Sequence, residues 1–161
     1  MSFAELLQGT IGGELLVTMA VSMLPVLELR GAIPFGVGLG LNPWQAMIAS
    51  IIGNMIPVPF IILFIRRIFT WLRKKSSRLE SFVGRLEARA EGKWEKVHRY
   101  ETLGLIILVA IPLPGTGAWT GALIAALMNM SLKRAMLPIF IGVVIAGLLI
   151  TGLTFGFTAV F

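Results

Sequence analysis

Four apolar blocks alternate with polar segments along the chain and predict its membrane helices. They cover residues 15–41, 44–65, 103–130 and 135–161. The second and fourth blocks are each long enough to cross a bilayer as one helix, which takes about 20 residues. The first block is interrupted at residues 29–34 and the third at residues 112–117. Each interrupted block is therefore either a re-entrant helical hairpin or a kinked span.

The distribution of positive charge favours the hairpins. Eleven of the fourteen basic residues fall between Arg66 and Arg99, which predicts that this segment is cytoplasmic. If the third block re-enters on the inner side, Lys133 and Arg134 also stay in the cytoplasm. If the block crosses the membrane, both residues lie outside, against the positive-inside rule.

The two halves of the chain share one pattern, a broken block followed by an unbroken one. A row of small residues at spacing four follows each break: Ala32, Gly36 and Gly40 in the first half, and Gly117, Gly121 and Ala125 in the second. Such rows let helix backbones approach closely. Since the halves would have opposite topology, the pattern indicates the inverted repeat common in transporters.

These features predict an all-α integral membrane protein with a single domain, residues 1–161. The first repeat covers residues 1–66, with a re-entrant hairpin at about 15–41 and a transmembrane helix at 44–66. The second covers residues 102–161, with a hairpin at about 103–130 and a transmembrane helix at 135–160. A charged amphipathic cytoplasmic helix, residues 67–101, joins the two repeats.

This linker has an apolar stripe with a basic flank and an acidic flank. The stripe contains Leu72, Leu79, Val83, Leu86, Ala90 and Val97. The basic flank contains Arg78, Arg85, Arg89, Lys93 and Lys96. The segregated charges suit either an anionic membrane surface or a second copy of the helix, and a solvated connector is the third possibility. Because membrane segments flank the basic cluster, no nucleic-acid partner is expected.

Composition agrees with a membrane location and offers little for catalysis. Hydrophobic residues make up 57% of the chain, and the mean hydropathy is +0.89. A multi-pass protein of a prokaryotic cytoplasmic membrane is the expected class. The sequence contains no cysteine, and its one histidine, His98, lies in the charged linker. We therefore expect no enzyme activity, metal or cofactor.

Glu28 and Arg30 are the candidate chemical centre of the first block. No other charged residue occurs between residues 15 and 41, and a charge at membrane depth costs roughly 2.5–3.5 kcal/mol on insertion scales. Gly31 and Pro34 are expected to interrupt the helix beside them. Glu28 is a candidate proton-coupling group, and Arg30 could neutralise it or bind an anionic substrate. A structural ion pair that pins the hairpin is the alternative.

The second break carries no charge but many groups that could line a substrate pathway. Its candidate residues are Pro112, Pro114, Gly115, Thr116, Gly117, Trp119 and Thr120. The prolines leave carbonyl groups without a helical partner, and the amides that begin the next half-helix favour an anion. Tight structural turns would explain the same residues. Asn54, in the second block, is a further pathway candidate.

The motifs Glu-Leu-Arg-Gly-Ala-Ile-Pro (28–34) and Pro-Leu-Pro-Gly-Thr-Gly-Ala-Trp-Thr-Gly (112–121) resemble those of the small multidrug export protein family. That family looks distantly related to the DedA/VTT superfamily, whose fold pairs re-entrant hairpins in inverted halves. The resemblance implies a transporter-like fold. DedA relatives are associated with proton-motive-force-dependent transport and with flipping of lipid phosphates. Their second hairpin typically carries arginines, whereas this chain has none between Glu101 and Lys133.

The resulting hypothesis is a small secondary transporter that exports a small or amphipathic substrate, coupled to protons. The alternatives are a flippase for an undecaprenyl-phosphate-type lipid and a membrane scaffold without transport activity. Expected partners are membrane lipids, a small-molecule or lipid-phosphate substrate, and protons. A single copy would make a thin wall, so a homodimer is expected.

Overall fold

The computed structural model describes residues 9–97, 100–113 and 115–160, which form eight α-helices without strands. The helices are α1 (Ile11–Ser22), α2 (Glu28–Leu39), α3 (Pro43–Met55), α4 (Pro57–Lys75), α5 (Ser77–Val97), α6 (Glu101–Ala110), α7 (Ala118–Leu127) and α8 (Leu132–Val160). The all-helical prediction is confirmed for this part of the chain. His98 and Pro114, named in the sequence analysis, lie outside the described residues.

Within the part of the chain that the structure describes, two stretches are long and apolar enough to cross a membrane. One is the consecutive pair α3 and α4, Pro43–Lys75, and the other is Leu132–Phe157 within α8. Pro57 begins α4 directly after a bend at Ile56. The first stretch continues well beyond residue 66, where the transmembrane helix was expected to end. Helix propensity does not stop at the membrane boundary, and the basic residues that follow Arg66 are good helix formers.

The first break lies earlier than expected. Helix α1 ends at Ser22 and α2 begins at Glu28, with turns and a bend at residues 23–27 between them, and Pro25 explains why α1 cannot continue. The prediction that Gly31 and Pro34 interrupt the helix is wrong, because both lie inside α2. Gly31 even donates its amide to the carbonyl of Leu27 at 2.9 Å. The second break falls at residues 111–117 between α6 and α7, as predicted.

Helices α1, α2 and α3 pack together through small residues. A Cβ atom on Gly36 of α2 would lie 2.8 Å from Thr18 Oγ1 in α1 and 3.1 Å from Ala46 Cβ in α3. Gly36 is therefore the contact point of three helices. The α2–α3 turn is closed by Gly40, whose φ of +114° ends α2 with a left-handed residue.

In the second half, α6, α7 and α8 also pack through small residues. A Cβ atom on Gly121 of α7 would lie 2.6 Å from Val109 Cγ2 in α6, and one on Gly142 of α8 would lie 2.7 Å from Val109 Cβ. Gly36 and Gly121 are each the middle member of the small-residue row in their half of the chain. Helices α3 and α8 then join the halves, with Gly147 packed against Met47 and Ile51.

The apolar stripe of α5 packs on the chain itself. Val83 is fully buried, and Ala90 forms a cluster with Leu108 of α6 and Ile124 of α7. Glu87 forms a salt bridge with Arg73 of α4. The sequence pattern suits the membrane surface, a second copy or solvent as partners of this stripe. At Ala90 the partner is instead the pair of helices α6 and α7.

Candidate functional site

Glu28 lies where the two breaks meet. It begins α2 and is only 4% exposed. Its Oε1 accepts a hydrogen bond of 3.2 Å from the backbone amide of Trp119, in the first turn of α7. The predicted preference of this helix N-terminus for an anion is thus met by a carboxylate of the same chain. Glu28 has a φ of +48°, a strained value for a residue other than glycine.

Gly117 makes this approach possible. It precedes α7 with a φ of +127° and a ψ of −168°, a backbone conformation that is essentially restricted to glycine. A Cβ atom there would collide with Oε2 of Glu28. The glycine therefore supplies both the turn into α7 and the space that the carboxylate occupies.

The guanidinium of Arg30 binds the backbone of the second break. Its Nη1 donates to the carbonyls of Leu113, at 2.8 Å, and Thr116. Its Nη2 donates to the carbonyls of Ile111, at 2.8 Å, and Val109, at 3.4 Å. Arg30 of α2 thus satisfies three carbonyls beyond the end of α6 together with that of Val109, which lies in the last turn of α6 where carbonyls lack helical partners.

Arg30 is less closely tied to Glu28 than the sequence spacing suggested. Its Nη1 lies 3.9 Å from Oε2 of Glu28, which is an ionic contact longer than a hydrogen bond. Its Nε is buried and has no hydrogen-bond partner among the described residues. The charge of Arg30 is therefore only partly compensated by the Glu28 carboxylate.

The aromatic and hydroxyl side chains of the second break also hold backbone groups. The indole Nε1 of Trp119 donates to the carbonyl of Met23, at the end of α1, over 3.1 Å. The Thr116 hydroxyl lies 2.7 Å from the carbonyls of Ile111 and Leu113, and the Thr120 hydroxyl donates to Gly115 over 3.0 Å. Trp119 therefore holds a carbonyl beside the first break, whereas the two threonines hold carbonyls of the second break itself.

Lys93 joins the site from the linker, and the sequence analysis did not anticipate this. Its ammonium donates to the carbonyl of Gly115. In sequence, Gly115 lies between Leu113 and Thr116, whose carbonyls accept from Nη1 of Arg30. Burial, followed by the like charges of Arg89 and Arg30, keeps the pKa of Lys93 below its ordinary value. The sequence places Lys93 on the basic flank of the linker, three residues beyond Ala90 of the apolar stripe, and this nearness to the stripe is the signal that could have found it.

Two cavities adjoin this junction, and Arg30 lines both. The first has a volume of about 340 Å³, and its lining includes Glu28, Arg30, Gly31, Pro112, Gly115, Thr116 and Thr120. The second, about 550 Å³, is a mostly apolar groove between α2 and α8. Its lining is Arg30, Pro34, Val37, Gly38, Ile150, Leu153, Thr154 and Phe157.

Most predicted site residues therefore lie together, with two exceptions. Trp119 contacts Glu28 with its backbone, but its side chain borders a different cavity, against α4. Asn54 is completely buried in α3, and its amide atoms have no hydrogen-bond partner among the described residues. It does not line either cavity beside Arg30. The described residues also contain no cluster of acidic and histidine side chains suited to a metal ion.

Comparison with known families assigns the chain. Residues 28–149 match the family described as "Putative small multi-drug export protein". The chain belongs to this family. The match begins at Glu28 and includes α2 and the second break, so Glu28, Arg30 and the loop that Arg30 contacts lie within the family region, whereas residues 23–27 precede it. No curated protein and no solved structure matches the chain. Family membership and the long apolar helices together indicate a membrane location.

Proposed function

We propose that this protein is a small secondary transporter that exports amphipathic molecules in exchange for protons. The observation that carries the proposal is the buried carboxyl group of Glu28, held between two broken helices and beside a cavity of about 340 Å³. Ionisable groups at membrane depth that adjoin a cavity are typical of proton-coupled transport. The family description, one of export, supports the same reading.

The contacts of Glu28 explain how a proton would change the structure. The ionised carboxylate attracts Arg30 and accepts a charge-assisted hydrogen bond from Trp119. A proton on the carboxyl removes its charge and weakens both interactions. Because the bond from Trp119 joins α7 to α2, protonation of Glu28 loosens the junction between the halves. Proton binding is thereby linked to the movement that alternating access requires.

The proposed architecture is that of two re-entrant hairpins in inverted halves, in a prokaryotic cytoplasmic membrane. Helices α6 and α7 contain ten residues each, about 15 Å of helix, and neither could cross the hydrocarbon core alone. Arg66, at the start of the basic segment, donates to the side chain of Asn129 in the α7–α8 turn. This contact supports placing that turn on the cytoplasmic side, with α5.

The test is transport by purified protein in proteoliposomes with an imposed pH gradient. Two fluorescent amphipaths of opposite charge, rhodamine 6G and anilinonaphthalene sulfonate, serve as probes. We expect the wild type to move at least one probe faster with the gradient than without it. Glu28→Gln should abolish this dependence, whereas Glu80→Gln, at an exposed position of α5, should retain it. Gradient-dependent transport by Glu28→Gln would remove Glu28 from the mechanism.

Arg30→Lys separates charge from geometry at the same site. Lysine keeps the positive charge but cannot hold four carbonyls with a planar fork. We expect this variant to lose thermal stability in detergent and to transport slowly even with Glu28 intact. Unchanged stability would show that the carbonyl contacts of Arg30 contribute little to the fold.

A further inference from the structure

A cluster of buried polar side chains lies where α1 packs against α3, and it lines neither of the cavities beside Arg30. Ser50 and Asn54 are one turn apart on the same face of α3, and both are completely buried. The hydroxyl of Ser22, the last residue of α1, donates to the backbone carbonyl of Ser50. Oxygen atoms from two helices are therefore close together at this point.

Two of these side chains have no hydrogen-bond partner. The Ser50 hydroxyl and both amide atoms of Asn54 are unpaired among the residues that the structure describes. Buried polar groups in native proteins are nearly always paired, and the usual explanation of an exception is a bound water or ion. An apolar environment makes the cost of leaving them unpaired especially high. These atoms therefore indicate a bound species that completes their contacts.

The electrostatics of the cluster favour a cation. Ser22 ends α1, where the helix dipole places partial negative charge, and the last turn of α1 contains no basic residue. Asn54 lies in the last turn of α3, which contains no basic residue either. Helix ends of this kind coordinate sodium ions in membrane transporters. A divalent cation would require carboxylate ligands, whereas the oxygens of this cluster are neutral.

The amide of Asn54 indicates that the ion retains a water molecule. Its oxygen is an acceptor and its nitrogen a donor, so a cation can contact only the oxygen. The hydroxyl oxygens of Ser22 and Ser50 supply two further ligands, since a hydroxyl that donates one hydrogen bond still has lone pairs. The amide nitrogen can then donate to a water that belongs to the ion's own shell.

We propose that Ser22, Ser50 and Asn54 bind a sodium ion between α1 and α3, with a water molecule on the amide nitrogen of Asn54. The ion joins the helix that precedes the first break to the long apolar stretch that begins with α3. This binding is additional to the proposed proton coupling. Its test requires neither a pH gradient nor a transported probe, so the two proposals can fail separately.

The first experiment is thermal unfolding of the purified protein in detergent, with sodium, potassium or choline chloride at equal ionic strength. Sodium should raise the unfolding temperature saturably, because an ion that binds only the folded state stabilises it. Potassium should have a smaller effect, since a completely buried site favours the smaller ion, and choline should have none. Equal responses to the three salts, or no response to sodium, would overturn the proposal. Water alone would then fill the cluster.

Two variants of α3 locate the ion. Asn54→Leu removes the amide at similar volume, and Ser50→Ala removes one oxygen and serves if the leucine variant does not fold. Each should lose most of the sodium response. Thr151→Val is the matched control, because the Thr151 hydroxyl is also buried and unpaired among the described residues but lies in α8. This control should keep the full response. An undiminished response in both α3 variants would overturn the proposal.

Direct binding separates an ion from an indirect effect of salt. Radioactive sodium, measured by scintillation proximity, should bind to the wild type, and unlabelled sodium should displace it whereas choline should not. Asn54→Leu should show no displaceable binding. In choline chloride the same variant should be at least as stable as the wild type, since no unpaired amide is then left buried. Displaceable binding that persists in Asn54→Leu would remove Asn54 from the site and overturn the proposal.

Discussion

At the scale of residues, side chains of the helices that follow the two breaks, α2 and α7, hold backbone groups across the junction. Glu28 meets the start of α7, Arg30 holds the carbonyls after α6, and Trp119 holds the end of α1. Broken helices at membrane depth are stable only if their free backbone groups find partners. The polar side chains at the junction therefore have an architectural role, and the proposed proton coupling would act through these same contacts.

Gly117→Ala tests the tightest point of this arrangement. Alanine at this φ and ψ is strained, and its Cβ atom would displace the Glu28 carboxylate. We expect a loss of about 2 kcal/mol or more in unfolding free energy, measured by denaturant titration in detergent. Gly84→Ala is the control, since Gly84 is helical with open space around it and should gain roughly 0.5–1 kcal/mol. Equal effects of the two substitutions would refute this account of Gly117.

The sequence identified most of these residues but could not pair them. Charge at membrane depth singled out Glu28 and Arg30, and backbone chemistry singled out the prolines and threonines of the second break. The bond from Trp119 to Glu28, however, joins positions 91 residues apart, and no local pattern encodes such a contact. The contact of Lys93 with Gly115 was not anticipated for the same reason. Helical periodicity shows which residues share a face, but it does not show what that face contacts.

At the scale of elements, the short helices α1 and α6 each pack closely against one of the two long apolar stretches at a glycine. A Cβ atom on Gly53 of α3 would collide with the carbonyl of Met19 in α1, and one on Gly142 of α8 would lie 2.9 Å from the carbonyl of Ile106 in α6. Both α1 and α6 are the helices that precede a break. This match is independent of the small-residue rows and supports the proposed repeat. The predicted position of the first break was wrong because Pro34 was taken as the residue that breaks the helix. In the structure Pro34 lies inside α2, and Pro25 follows the end of α1.

Gly53→Ala and Gly142→Ala should therefore have similar effects. Each would force a half-helix away from the helix on which it packs, against a backbone carbonyl that cannot rotate aside. Overpacking of this kind typically costs about 1–3 kcal/mol. Thermal unfolding in detergent measures both, with Gly156→Ala as a control at a position with free space. A large effect in one variant and none in the other would argue against equivalent roles in the two halves.

At the scale of the whole molecule, the site lies where the two halves meet. Each half supplies one break, and α5 adds Lys93 from the segment that joins them. A contact between halves is the place where a rocking motion would have its largest effect on bonding. The linker is therefore part of the proposed transport mechanism, because any movement of α5 away from α6 and α7 withdraws a cation from the junction.

The orientation of α8 decides whether this architecture is correct, and single-cysteine labelling can measure it. The chain contains no cysteine, so each introduced thiol is unique. With a re-entrant second hairpin, Lys133→Cys at the start of α8 should share the cytoplasmic side with Arg78→Cys of α5. Gly156→Cys, near the other end of α8, should react from outside with a membrane-impermeant maleimide in intact cells. A full crossing by the third apolar block would reverse α8, so that Lys133→Cys reacted from outside and Gly156→Cys only after permeabilisation.

The expected pattern follows from the Arg66–Asn129 contact, which holds the α7–α8 turn beside the basic segment. Arg78→Cys reports the side of the linker in either arrangement. If Lys133→Cys is labelled from the same side as Arg78→Cys, the third block re-enters, and if it is labelled from the opposite side, the third block crosses the membrane. This comparison does not depend on which side is cytoplasmic.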